Sequence, residues 1–173
     1  MLRNNCGSKG LTFPKLRGAG LSEYGSGEAR IESVALLGPG DEERSQFMPG
    51  ERLAVRLRIV STQPIEPPLL SWELHDEAGL VLATGSQDTA ELGWHPADPE
   101  LGLRFDVDSL PLADGRFRLR FELADAARRR LYHWLDDAAR FVVYPADGAA
   151  GIVRLDGRWS VDDLDAGARI DGG

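Results

Sequence analysis

Hydrophobic and polar residues alternate along most of this chain. Leu53, Val55, Leu57 and Ile59 are interleaved with Arg52, Ala54, Arg56 and Arg58. Leu70, Trp72 and Leu74 alternate with Ser71, Glu73 and His75, and Leu103, Phe105 and Val107 with Arg104, Asp106 and Asp108. Phe117, Leu119, Phe121 and Leu123 alternate with Arg116, Arg118, Arg120 and Glu122. Successive side chains of an extended chain point to opposite faces, so each run predicts a half-buried strand with one wet face. The segments GPGDE, MPGE, DEAG and LADG separate the runs and carry turn chemistry. DEAG predicts a hairpin that returns over 80–84. Further strands are expected near 29–37, 139–144 and 151–155. The one helix-compatible stretch, 124–140, has strand-like ends and leaves room for at most a short helical turn. About eight short strands without βα alternation predict an all-β fold: an antiparallel β-sandwich, immunoglobulin-like or jelly-roll.

Punctuation along the chain sets the expected boundaries. Residues 1–28 contain many Gly and Ser, with GSGEA at 25–29 as a flexible joint, and read as a linker or an upstream remnant. The sandwich is expected over 29–160. Residues 161–173 are acidic and Gly-rich and read as a flexible tail.

Charge narrows the partners. The chain has 173 residues, 28 acidic and 20 basic, for a net charge of −8. That balance opposes general nucleic-acid binding, which needs a basic footprint, and adsorption to an anionic membrane. Lysine occurs only at Lys9 and Lys15; the remaining basic residues are Arg. Arg suits planar recognition of oxyanions, and GC-rich coding produces the same bias. Cys6 is the single cysteine, so neither an internal disulfide nor a thiolate metal cluster is expected. No run reaches the ~18 apolar residues of a membrane span, and the start MLRNNCGSKG lacks a signal-peptide core. A cytoplasmic location is the expectation.

Catalytic and cofactor signatures do not emerge. The sequence has no G-x-x-x-x-G-K-[ST] phosphate loop and no G-x-S-x-G elbow. His75, His95 and His133 are scattered without metal-ligand spacing. Glu73 and Asp88 could imitate a glycosidase pair, as carboxylates do in any acidic domain. The chain is therefore read as non-enzymatic and without a cofactor.

Several segments occur in a telling order: YGSGEARIESVAL (24–36), PPLLSWELHDEAGLVLATGS (67–86), LPLADGRFRLRFELAD (110–125), LYHWLDDAARFVV (131–143) and GIVRLDGRW (151–159). This series resembles the carbohydrate-binding C-terminal domain of Wzt-type ATP-binding subunits of O-antigen polysaccharide ABC transporters. The resemblance implies an immunoglobulin-like sandwich that binds the exported, lipid-linked polysaccharide. It also implies a homodimer in which a terminal strand can be exchanged, and ATPase and transmembrane transporter subunits as partners at the inner face of the cytoplasmic membrane. Family members often carry Tyr after the DG turn; this chain has Phe117, so that corner hydroxyl is missing.

Sugar recognition needs aromatic faces for C–H patches and planar polar groups for paired hydroxyls. In an immunoglobulin-like order the strands at 69–76, 115–124 and 139–144 share a sheet. Its outward set would include Ser71, Glu73, His75, Arg116, Arg118, Arg120, Glu122 and Val142. The carbohydrate-binding residues expected are Ser71, Glu73, His75, Arg116, Arg118 and Arg120, with Trp94 from the loop 89–102. Trp94 either stacks on a sugar or caps the open end of the sandwich. Trp72 is in phase with the core, Tyr132, His133 and Trp134 fall at a corner as packing or rim, and Trp159 anchors the last strand. Arginines on wet faces favour a charged or phosphate-modified glycan. The plain alternative is a solvated face with cross-strand ion pairs. Two other functions remain open: a structural module that dimerises or docks a partner by strand addition, and a glycan-active enzyme.

Overall fold

A computed structural model describes residues 23–144 and 151–153. The linker up to residue 22, the tail 161–173, and Lys9, Lys15, Cys6 and Trp159 lie outside the described residues.

Among the described residues nine strands form two sheets: β1 (Glu23–Tyr24), β2 (Ala29–Leu37), β3 (Gln46–Phe47), β4 (Leu53–Ser61), β5 (Leu69–Asp76), β6 (Val81–Asp88), β7 (Glu100–Val107), β8 (Gly115–Ala124) and β9 (Leu131–Val143). The larger sheet runs β1-β9-β8-β5-β6, with β3 pairing parallel to β9; the smaller runs β2-β4-β7. All other ladders are antiparallel. Placing the first, second and fifth long strands against the others gives the immunoglobulin-like sandwich expected from the alternation.

Register explains the core. Val55, Leu57 and Ile59 of β4 pair with Phe105, Leu103 and Leu101 of β7, of which Leu101 and Leu103 pack against the core and Phe105 stays exposed, while Phe117, Leu119, Phe121 and Leu123 of β8 point inward from the other sheet. Fully burying one such side chain stabilises the fold by about 1.5–3 kcal/mol. Trp72 packs against this core and tilts onto Phe105 at 5.4 Å. Its cross-strand partner is Gly85, where an added Cβ would lie 2.6 Å from the indole, so only glycine lets the ring cross β6.

Several expectations are corrected. The return strand of the DEAG hairpin extends to Asp88, beyond 80–84. A 3-10 turn covers Thr89–Leu92. The stretch 124–140 holds no helix, as its strand-like ends implied, but the corner expected at 132–134 is absent: Asp125 closes a turn through Arg130, and β9 runs on through those residues. Of the strand expected at 151–155, the described part contributes one bridge, Leu112 to Val153.

Trp94 is 1% exposed, and its backbone N–H donates to Thr89. The 3-10 turn folds the loop back so that the indole fills the sandwich core. The suggestion that Trp94 stacks on a sugar is therefore overturned, because its faces already contact protein.

Candidate functional site

The outer face of the larger sheet gathers Ser71, Glu73, Arg116, Arg118 and Arg120 of the predicted residues. β5 and β8 pair Ser71 with Glu122, Glu73 with Arg120, and His75 with Arg118. In the Glu73–Arg120 pair opposite charges meet directly across the strands, an arrangement that stabilises a sheet. Arg120 Nη1 donates to Glu73 Oε2 at 2.9 Å, and its Nε donates to Asp136 Oδ1 at 3.0 Å. Arg118 Nη1 reaches the same Asp136 oxygen at 3.2 Å. A bar of alternating charge therefore crosses β5, β8 and β9.

A groove of about 330 Å³ lies on one side of this bar. Ser71, Glu73, Thr84, Ser86, Arg120, Glu122, Arg128 and Trp134 line it, with Trp72 and Gly85 beneath. Arg128, from the β8–β9 turn, donates to the Ser71 hydroxyl at 3.2 Å. On the other side lies a second groove of about 600 Å³, lined by Arg116, Arg118 and Arg140 together with Ser45, Asp76 and Glu77. Ser71, Glu73 and Arg120 thus share one groove, and Arg116 and Arg118 share the other.

His75 does not join either surface. It is 3% exposed, with Nε2 2.8 Å from Glu73 Oε2 and Nδ1 3.3 Å from the Gly79 carbonyl. A bulge between Leu74 and His75 and the hairpin turn enclose the ring. Its place as a direct sugar ligand is corrected to that of a buried prop for Glu73.

Further contributors lie outside the predicted set. Tyr24 of β1 is 55% exposed and stacks on Trp134 at 5.7 Å, with ring planes 25° apart. The Arg120 guanidinium lies over the same indole at 4.7 Å, so one tryptophan joins the aromatic and charged parts of the face. Gly25 (φ 146°) makes the approach of β1 possible: a Cβ there would lie 2.7 Å from the Tyr132 carbonyl carbon. His133 then fastens β1. A backbone N–H only donates, so the 3.0 Å contact from Ile31 N–H requires an unprotonated Nδ1. The proton of the neutral ring is then on Nε2, which faces Glu23 Oε1 at 2.8 Å. Asp136 contributes as well. Leu119 pairs with Ala139 but Phe121 pairs with Leu135, so β9 bulges around 136–138, with Asp137 at φ 60°. The bulge re-aims Asp136 towards both Arg118 and Arg120. The doubled Asp136–Asp137, where strict alternation breaks, was the available signal.

The opposite sheet is also charged, and several of its charges form shared ion-pair networks. Arg58 bridges Glu32 and Glu100, and Arg52 and Arg104 share Asp41 and Asp106. The Arg104 hydrogen bond holds the Asp41 carboxyl below the usual carboxylate range. Among the described residues no group of His, Cys, Asp and Glu could hold a metal ion. Nor is any described helix long and apolar enough to cross a membrane.

A two-sheet, mainly antiparallel sandwich places this domain in the β-sandwich class. The chain belongs to the Wzt C-terminal domain family, whose model matches residues 21–155. The crystal structure of the C-terminal domain of wzt superposes with a TM-score of 0.71 at 13% identity, covering 84% of this chain and 90% of that one. That likeness is one of fold. A Bifidobacterium dentium β-glucuronidase in complex with coumarin-3-O-glucuronide gives a TM-score of 0.40 at 13% identity, covering 67% of this chain and 18% of that one. The cupredoxin domain of amoB from Nitrosocaldus yellowstonii gives 0.39 at 12% identity, covering 81% of this chain and 99% of that one. Both scores are too low to bear on this chain. No curated protein matches it in sequence. Family membership supports the setting of an O-antigen ABC transporter.

Proposed function

We propose that this domain is a non-catalytic module that binds an O-antigen-type, lipid-linked polysaccharide for export by an ABC transporter. The observation that carries the reading is the juxtaposition on one sheet face of the Tyr24–Trp134 stack with the Glu73–Arg120–Asp136 bar. The aromatic surface suits the apolar C–H patches of a pyranose. The ionised groups suit its hydroxyls, because charge-assisted hydrogen bonds are stronger than neutral ones. A strand-built face is rigid, which limits the ordering cost of binding.

Capture is the mechanism. The groove holds a stretch of the finished chain near the transporter, at the inner face of the cytoplasmic membrane. A homodimer would present two grooves and raise the effective concentration of the second contact. A docking role is the second reading. It is favoured by the exposed apolar side chains Val81 on β6 and Phe105 on β7, each of which lies at one end of its sheet.

Calorimetric titration of purified O-polysaccharide into the wild type and Trp134→Ala separates the two. Glycan binding predicts affinity at least about tenfold weaker in the variant, or ~1.4 kcal/mol. Equal affinity in both proteins, or none in the wild type, rules out the groove as the glycan site.

A further inference from the structure

We propose that His133 is a proton-sensitive pin across the seam between the two sheets. The neutral ring holds β2 to β9, and the protonated ring lets β2 go. The pin rests on backbone geometry and is independent of what the sheet face binds.

β2 ends the smaller sheet, and its free edge lies against β9 of the larger one. Thr62 N–H donates to the Glu28 carbonyl at 2.9 Å, so residues 28 and 30 of this antiparallel ladder turn their backbone groups towards β4. Ile31 therefore turns its N–H away from β4, where it meets His133 Nδ1 at 3.0 Å. Ile31 is 3% and His133 4% exposed, so water cannot replace either partner.

The charges around the ring leave Nδ1 to that donor. Glu23 of β1 faces the other nitrogen, 2.8 Å from Nε2. β8 presents the apolar Leu123 as the cross-strand partner of His133. On β2, Arg30 and Glu32 flank Ile31 and pair with each other at 3.8 Å, and Glu32 also pairs with Arg58. Glu28, before β2, pairs with Arg130, before β9, at 2.6 Å. Tyr132 stays a neutral phenol because burial raises its pKa.

A second proton on the ring breaks the arrangement. An imidazolium donates from both nitrogens, so Nδ1–H and the Ile31 N–H would point at each other. Turning the ring over puts carbon atoms where both nitrogens stood and recovers neither bond. The Nε2–H bond to Glu23, in contrast, becomes charge-assisted on both sides and strengthens. The protonated ring thus keeps β1 and gives up β2. The chain has a joint for that separation. Ser26 and Gly27 N–H bond to the Leu131 and Tyr132 carbonyls on the β9 side, whereas Glu28 is bonded to Thr62 on the β4 side. Gly27 sits at the crossing with φ 80°, and an added Cβ there would meet nothing within 4 Å. The pinned state holds one proton fewer than the released state, so its population falls as pH falls.

Amide hydrogen exchange of the full chain, read by nuclear magnetic resonance at about pH 8 and about pH 5, tests the pin; histidine ordinarily changes charge in that interval. After correction for the intrinsic pH dependence of exchange, protection at Ile31 should fall at least about tenfold at the lower pH, while Leu57 and Phe121 stay within about twofold. Nitrogen-15 imidazole spectra of the wild type should show His133 protonated on Nε2 alone at the higher pH and on both nitrogens at the lower. His133→Asn puts an amide oxygen in the place of Nδ1 and takes up no proton, so Ile31 should keep its protection at both pH values. The wild-type spectra decide the matter if that variant does not fold. Equal Ile31 protection at both pH values, a proton on Nδ1 at the higher pH, or the same loss in folded H133N would overturn the pin. So would a loss shared equally by Leu57 and Phe121, which would mark general unfolding.

Discussion

Replacing Trp94 by Ala is expected to lower the unfolding free energy by about 3–5 kcal/mol, the usual cost of emptying a large aromatic site in a core. The indole is among the largest fully buried side chains and belongs to the main core cluster. It is also reached through a short sequence of local devices. The Asp88 carboxylate accepts the Ala90 N–H at 2.9 Å, capping the 3-10 turn that precedes the tryptophan. Thr89, fully buried, donates its hydroxyl to the Pro68 carbonyl at 2.7 Å. Small domains have only ~5–15 kcal/mol of stability, so the loss is a large share of the whole. Urea unfolding should show the transition at much lower denaturant. Polysaccharide affinity, measured where the variant is still folded, should hold. Full stability with lost binding would return Trp94 to the surface.

Glu73→Ala is expected to damage both stability and recognition. One carboxylate oxygen serves Arg120 Nη1 and the buried His75 ring. Its removal strands a ring nitrogen in the interior, at a cost of about 1–3 kcal/mol. It also frees Arg120 from one of the two carboxylates that orient it, and Arg120 is the cation over Trp134. Polysaccharide affinity should fall at least about tenfold, or ~1.4 kcal/mol. Glu73→Gln, which keeps an acceptor in place, should recover part of the stability. Unfolding curves and calorimetric titration check the two arms. Unchanged affinity in Glu73→Ala would separate the charged bar from glycan binding.

The sandwich was legible because most strands keep period two over their whole length. Leu53 to Ile59 and Phe117 to Leu123 needed only the alternation rule, and for Phe117 to Leu123 the sheet partners followed from the immunoglobulin-like order. The outward set of β5 and β8 came from the same rule, which is why Ser71, Glu73, Arg116, Arg118 and Arg120 lie on one face. It failed where local geometry overrides alternation. A bulge and a turn close over His75, and the β9 bulge re-aims Asp136. Trp94 sits in a loop, where period carries no information about direction. Tyr24 escaped notice because β1 has two residues, too few for any pattern. Its strand exists through long-range partners: the ladder to Leu135 and Trp134, and the bond from Glu23 to His133.

Chemical-shift mapping with the purified polysaccharide tests the central claim most directly. Saturable changes should concentrate at Tyr24, Ser71, Glu73, Arg120 and Trp134, across four strands of the larger sheet, and spare β2, β4 and β7. Changes confined to the smaller sheet, or no changes at saturating polysaccharide, would contradict it.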